Sequence, residues 1–162
     1  MKWRGYSVTT FDIDPALNPD QIGSVHDLSC FGNAQFDVLI ASHVLEHIPE
    51  TLLDRALAEI ARSSRYSLIY LPVNGLHAQV RLNSNYRGLD RSLLLTFSKW
   101  FERPDRITPR YMSGQHYWEI GLSGFHVRSL VKRMENYFDI LVRYRNKDWL
   151  PSYNFVLKSK RK

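Results

Sequence analysis

The sequence is short of the residues that staple, anchor or span. Cysteine occurs once, at Cys30, which excludes an internal disulfide and fits a reducing compartment. No apolar run approaches the roughly 18 residues of a membrane-spanning helix, so no membrane partner is expected. The opening residues Met1-Lys2-Trp3-Arg4-Gly5 lack the apolar stretch and small-residue cleavage site of a secretory signal. These absences point to a cytoplasmic protein. Internal repeats and low-complexity tracts are missing as well, which excludes solenoids and linkers. Glycine is scarce at the start, where Gly5 is the only one before Ser7.

What remains is an ordinary globular chain of 162 residues, enough for one domain with its own core. Its charge is uneven. Residues 1–80 carry five basic and nine acidic side chains, a net of −4, whereas residues 81–162 carry seventeen and seven, a net of +10. Arg81, Arg87, Arg91, Lys99, Arg103, Arg106 and Arg110 recur through one segment, and Lys158, Lys160, Arg161 and Lys162 close the chain. Such a half can attract nucleic acid or a phosphorylated ligand. The bases are interleaved with acids and form no nucleic-acid motif, so a solvated face is the preferred reading and a nucleic-acid partner is weakly supported.

Ser7–Ile13 is β-branched and apolar and reads as a strand, Asp14–Asp20 as a Pro-containing loop, and Ile22–Leu28 as a short strand. Phe36–Ala41 is almost continuously apolar, the pattern of a strand covered on both faces. Glu50–Ser63 is a helix with Leu53, Ala56, Leu57 and Ile60 as its buried stripe, and Tyr66–Leu71 is a second buried strand. Strand, helix and strand in that order predict a βαβ unit with a parallel sheet. Asn74–Gly88 reads as a loop. Leu93, Leu94, Phe97, Trp100 and Phe101 read as an amphipathic helix ended by Pro104. Residues 104–121 look irregular and hold the aromatics Tyr111, Tyr117 and Trp118. A helix is expected from Ser123 to Tyr137. Closing strands are expected at Phe138–Arg145 and Tyr153–Ser159, with a turn at Leu150-Pro151-Ser152.

The stretch Val8–Pro15 (VTTFDIDP), then Gly23–Leu28 (GSVHDL), then Phe36–Glu50 (FDVLIASHVLEHIPE) resembles the class I S-adenosylmethionine-dependent methyltransferases, and more narrowly the type 11 group. The order and spacing carry the resemblance, with Val44–His47 (VLEH) following an apolar strand. His116–Gly121 (HYWEIG) is similar to a later part of some members. The resemblance implies an α/β fold with a Rossmann-like, mostly parallel sheet, helices on both faces and an antiparallel strand near the C-terminus. It implies a single domain over residues 1–162: a cofactor-side βαβ portion at 7–73, an acceptor or lid-like insertion at 74–122, and a C-terminal helix with closing strands at 123–162.

The resemblance also implies a cofactor, S-adenosylmethionine, and residues to hold it. Ligands of open α/β sheets sit at the carboxyl ends of the strands, where an acidic residue can take the ribose hydroxyls. Asp12, with Ile13 beside it, is implied as that ribose ligand. Ser24 and Val25 stand where the adenine is read, with Ser24 in place of the family's usual acid. Ser42 and His43 line the methionine side, and Glu46 and His47 begin the segment that caps it. The family's first strand and glycine-rich turn have no counterpart here, so an N-terminally truncated domain is expected. That strand lies centrally in the family, and its absence implies that the chain pairs the flanking strands itself, completes the sheet with a homodimer or partner chain, or is unstable. The methyl acceptor, small or macromolecular, is not named by any motif. His47, His116 and Glu119 are the candidate catalytic residues, since a His or Glu can take a proton from the acceptor.

His43-x-x-Glu46-His47 also matches an H-x-x-E-H zinc motif, with His116 or Glu119 as an imaginable third ligand. That motif needs a continuous helix, and Pro49 follows His47 by two residues. The expectation is therefore that no metal is held.

Overall fold

The computed structural model describes residues 2–3, 5–74, 76–86, 89–99, 116–122, 124–146 and 152–160. In chain order the strands are β1 (Lys2–Trp3), β2 (Tyr6–Ser7), β3 (Phe11–Asp12), β4 (Gln21–Ile22), β5 (Phe36–Ser42), β6 (Ser64–Pro72), β7 (Leu76–Tyr86), β8 (Leu89–Lys99), β9 (Phe138–Asn146) and β10 (Ser152–Ser159). Helix α1 spans Glu50–Ser63 and α2 spans Val127–Met134. Four strands form the main sheet in the order β5-β6-β10-β9. The β5–β6 pair is parallel and the two pairings of β10 are antiparallel.

Apolar periodicity explains α1. Leu53, Ala56, Leu57 and Ile60 recur at helical spacing, and all four are buried. They pack on the sheet face that carries Ile69, Leu71, Phe155 and Leu157, together with Leu130 and Met134 of α2. Among the described residues both helices lie over this one face. No helix covers the opposite face among the described residues: Val38 is 50% exposed, Ile40 62%, Val142 49% and Tyr144 49%, although Asn154 on the same face is buried. Among the described residues, the continuous apolar run at Phe36–Ala41 therefore corresponds to a strand that helices cover on one side. Its outer edge pairs with no strand among the described residues, because β5 ends the sheet order. The mixed α/β class stands, and the described part of the sheet has one parallel pair.

The N-terminal strands are shorter than their composition predicts. Ser7–Ile13 contributes only β2 and β3, and Ile22–Leu28 contributes only the end of β4 before a turn closed by Asp27 N–H on the Ser24 carbonyl at 2.8 Å. Side chains take over from the ladder here. The Asp20 carboxylate accepts from both the N–H and the hydroxyl of Thr10, at 2.7 and 2.8 Å. These bonds hold the Asp20 carboxyl below its usual range. They close a crossover of eight residues between parallel strands, too short for the usual helix. An edge-to-face series, Phe11 on Phe31 and Phe31 on Phe36, ties this unit to the main sheet.

Residues 76–99 differ most from expectation. The segments read as a loop and an amphipathic helix form the antiparallel hairpin β7–β8, with Leu82 opposite Leu93 and Val80 opposite Leu95. Leu76, Ala78, Val80 and Leu82 alternate with polar residues, and this two-residue period outweighs the helical spacing of Leu93, Leu94 and Phe97. Trp100, Phe101, Tyr111, Arg103, Arg106, Arg110, Leu150 and Pro151 lie outside the described residues. Helix α2 starts later than expected because Gly124 takes a left-handed φ of +83° just before it.

Arg62 closes α1 onto the loop at Leu28–Asn33. Its guanidinium donates to the carbonyls of Leu28 and Phe31 at 2.7 and 2.8 Å and to Glu59 at 2.8 and 2.9 Å. Glu59 also accepts the Leu28 N–H at 2.9 Å. Arg62 first, and the Leu28 amide with it, hold the Glu59 carboxyl below the ordinary value near 4.5. A depressed carboxylate gives stability that is complete above its unfolded pKa and is lost as pH falls through the lower folded value. The melting temperature is expected to fall with pH below about 4.5, and Glu59→Gln to flatten that fall. Equal pH slopes for the two proteins in a thermal scan would contradict the assignment.

Candidate functional site

The carboxyl end of β5 makes an abrupt turn. His43 adopts φ of 53°, a left-handed conformation that costs energy for a residue with a Cβ. Its N–H still donates to the Tyr70 carbonyl at 3.0 Å, so the turn begins where the β5–β6 ladder ends. A single 3-10 turn, Leu45–His47, follows, and Pro49 then opens α1. This geometry buries Glu46 completely and leaves His47 exposed.

A second segment is laid against this turn. The Tyr117 N–H donates to the Glu46 carbonyl at 2.8 Å, and the Ile120 N–H to the Pro72 carbonyl at 3.2 Å. The indole N–H of Trp118 donates to the Ile48 carbonyl at 3.1 Å. These bonds bring His116 and Glu119 to the residues that end β5. The His116 ring stands edge to face against His47, with centroids 4.7 Å apart. His116 Nδ1 lies 2.7 Å from Glu119 Oε1, and the Asn74 amide donates to Glu119 Oε2 at 3.3 Å. His43 Nδ1 lies 3.2 Å from Glu46 Oε1, yet neither Glu46 oxygen accepts an aligned hydrogen bond from the described residues.

Three imidazoles and two carboxylates thus share one small volume, and they perturb each other. Burial, with the Glu119 charge adding to it, pushes the Glu46 carboxyl up to about 7. Burial and then the rings of His116 and His47 hold His43 below its usual value, against an upward pull from Glu119. Groups tuned in this way, at a strand end, can bind, orient and move protons.

The cofactor-side residues divide into two sets. Asp12 ends β3, and its Oδ1 accepts the Asp14 N–H at 2.9 Å. The Gly23 N–H donates to the Asp12 carbonyl at 2.9 Å, which brings Ser24 and Val25 beside Asp12. The Ser24 hydroxyl is 2.7 Å from His26 Nδ1, Val25 packs on the core, and Ile13 is 70% exposed. Ser42 and His43 belong instead to the constellation at the end of β5. The two sets sit on separate sheets joined by the phenylalanine series. The Asp12 carboxylate and Ser24 hydroxyl suit a nucleoside, while Gly5 is the only glycine among residues 1–22 to serve a close backbone approach.

Sequence reasoning placed His43, Glu46, His47, His116 and Glu119 among the candidates. It missed Asn74, which reaches Glu119 across 45 positions with no local signal. It also missed the burial of Glu46, which the apolar neighbours Leu45 and Ile48 could have indicated.

Residues 2–66 match a known family, described as "Methyltransferase domain", in line with the resemblance of Val8–Glu50. Over that span the chain is methyltransferase-like. No curated protein matches it. Among solved structures, the chain is similar to a Burkholderia thailandensis 1,6-didemethyltoxoflavin-N1-methyltransferase with bound 1,6-didemethyltoxoflavin and S-adenosylhomocysteine. That likeness has a TM-score of 0.57 at 15% identity and covers 98% of this chain and 63% of the other. A structure concerned with conversion of a disulfide bond into a thioacetal group during echinomycin biosynthesis gives 0.54 at 11% identity, covering 96% and 67%. The PH0226 protein of Pyrococcus horikoshii OT3 gives 0.50 at 12%, covering 88% and 60%. At these identities the likeness is one of fold. The chain spans about two thirds of the length of these structures or less.

Proposed function

We propose, from the methyltransferase-like domain at residues 2–66, that the chain takes part in S-adenosylmethionine-dependent methyl transfer. The observation that carries this reading is the family match over those residues, which include both Asp12 and the turn at Val44–His47. The cofactor supplies, when bound, a methyl group activated on a sulfonium. The chain's own residues have the remaining tasks. Asp12 takes the ribose hydroxyls through its carboxylate, beside Ser24 and Val25 on the base side. Ser42 and His43 face the methionine side from the end of β5. His116, oriented by Glu119 at 2.7 Å, takes a proton from the acceptor through Nε2, with His47 beside it. Positioning supplies much of the acceleration, so no nucleophilic side chain is needed. A cytosolic setting belongs to the same proposal and is supported by Cys30, exposed and unpaired. No helix of the described residues is long and apolar enough to cross a membrane.

A second reading is favoured by the outer edge of β5, which pairs with no strand among the described residues. In it the chain is a non-catalytic subunit whose sheet is completed by a second copy. One experiment separates the two. Isothermal titration of the chain with S-adenosylhomocysteine is expected to show binding, and Asp12→Ala to weaken it about 10- to 100-fold, the worth of a charged hydrogen bond. Absence of heat at millimolar ligand, with a dimer mass on light scattering, would establish the second reading instead.

A further inference from the structure

We propose that Glu46, His47 and His116 bind one divalent transition-metal ion of the zinc type. One donor atom from each residue lies within 4.8 Å of the others. Two imidazole nitrogens and a carboxylate oxygen form a ligand set suited to zinc or cobalt, and poorly to magnesium or calcium, which take oxygen.

Glu46 is an independent sign of a ligand. Its side chain is 0% exposed, and although His43 Nδ1 lies 3.2 Å from Oε1, neither carboxylate oxygen accepts an aligned hydrogen bond among the described residues. A buried carboxylate in that condition is costly, and a cation between it and the two rings would satisfy it. His116 is already set up as a ligand. Its Nδ1 is held by Glu119, which Asn74 holds in turn, so Nε2 is the atom left to coordinate. A carboxylate behind a ligating histidine fixes its ring and raises its basicity. Exposed His47 supplies both an entry path and room for a water or a substrate oxygen at the open position. The donors differ from the His43–His47 pair of a helical H-x-x-E-H motif. The break at His43 and the 3-10 turn rule out that pairing on one helix face and bring in His116 from the segment before Trp118.

This inference stands without the methyl-transfer reading, although an ion on His116 Nε2 would remove that atom from proton transfer. The test uses the full chain stripped with EDTA, dialysed, and titrated with zinc chloride and with cobalt(II) chloride, without cofactor. One ion per chain is expected. His47→Ala and His116→Ala should each weaken binding at least 100-fold, and Glu119→Gln about 10- to 100-fold. Cys30→Ser, His26→Ala and Asp12→Ala should leave it unchanged, and magnesium chloride should not compete. His47 is exposed, so His47→Ala should keep the far-ultraviolet circular dichroism of the parent even if His116→Ala does not. Zinc binding that survives His47→Ala, a cobalt spectrum with thiolate charge transfer, or no bound ion would each overturn the proposal.

Discussion

Trp118→Ala is expected to destabilise the protein by about 3–5 kcal/mol, the range for deleting a large buried aromatic. The side chain is 1% exposed and stacks on Phe125 with ring centroids 5.3 Å apart. Its indole N–H serves the Ile48 carbonyl, so the substitution leaves a cavity and an unpaired carbonyl together. Total stabilities of domains run to about 5–15 kcal/mol, so a loss of this size moves the urea midpoint visibly and can empty the folded state at moderate temperature. Trp118→Phe keeps most of the ring and loses only the donor, and should cost about 1–3 kcal/mol. Urea titration followed by circular dichroism measures both. A loss below about 1 kcal/mol for the alanine variant would show that the segment carrying His116 and Glu119 is held by something other than this residue.

Glu46→Gln should act in the opposite direction. In EDTA at neutral to alkaline pH, it is expected to raise stability by about 1–3 kcal/mol, since a neutral amide is cheaper to bury than a carboxylate that accepts no aligned hydrogen bond among the described residues. Thermal unfolding of the parent and the variant in EDTA provides the measurement. A lower melting temperature for the variant would mean that the carboxylate is well satisfied in the folded chain. Removing a group normally destabilises, so a gain would mark Glu46 as a residue kept at the expense of the fold.

Much of the architecture is written locally in the chain. Helix α1 is bounded as its stripe predicts, from Glu50 to Ser63, and strands β6, β9 and β10 fall on their apolar runs within two residues. The hairpin was hidden because Leu93, Leu94 and Phe97 satisfy a helical spacing while Leu89, Leu93, Leu95 and Phe97 satisfy a strand spacing. Only the pairing with β7 decides between them. The N-terminal strands shortened because Thr10 and Asp20 replaced ladder bonds with side-chain bonds, which β propensity does not register. The site was half legible. His43, Glu46 and His47 stand together in the sequence, but their meeting with His116, Glu119 and Asn74 depends on backbone bonds between distant segments, and the burial of Glu46 depends on that meeting.

Among the described residues, one face of the main sheet carries no helix and the outer edge of β5 pairs with no strand, so concentration and ionic strength are expected to matter. Flat apolar sheet with a free edge is a template for other strands. Association through it is at least second order in protein, so the monomer fraction falls as the solution is concentrated. The formal net charge of +6 opposes each encounter. At 0.1 M, salt screens that repulsion beyond about 10 Å and leaves the apolar attraction in place. The expected outcome is a monomer fraction, read by light scattering, that falls as protein or salt concentration is raised.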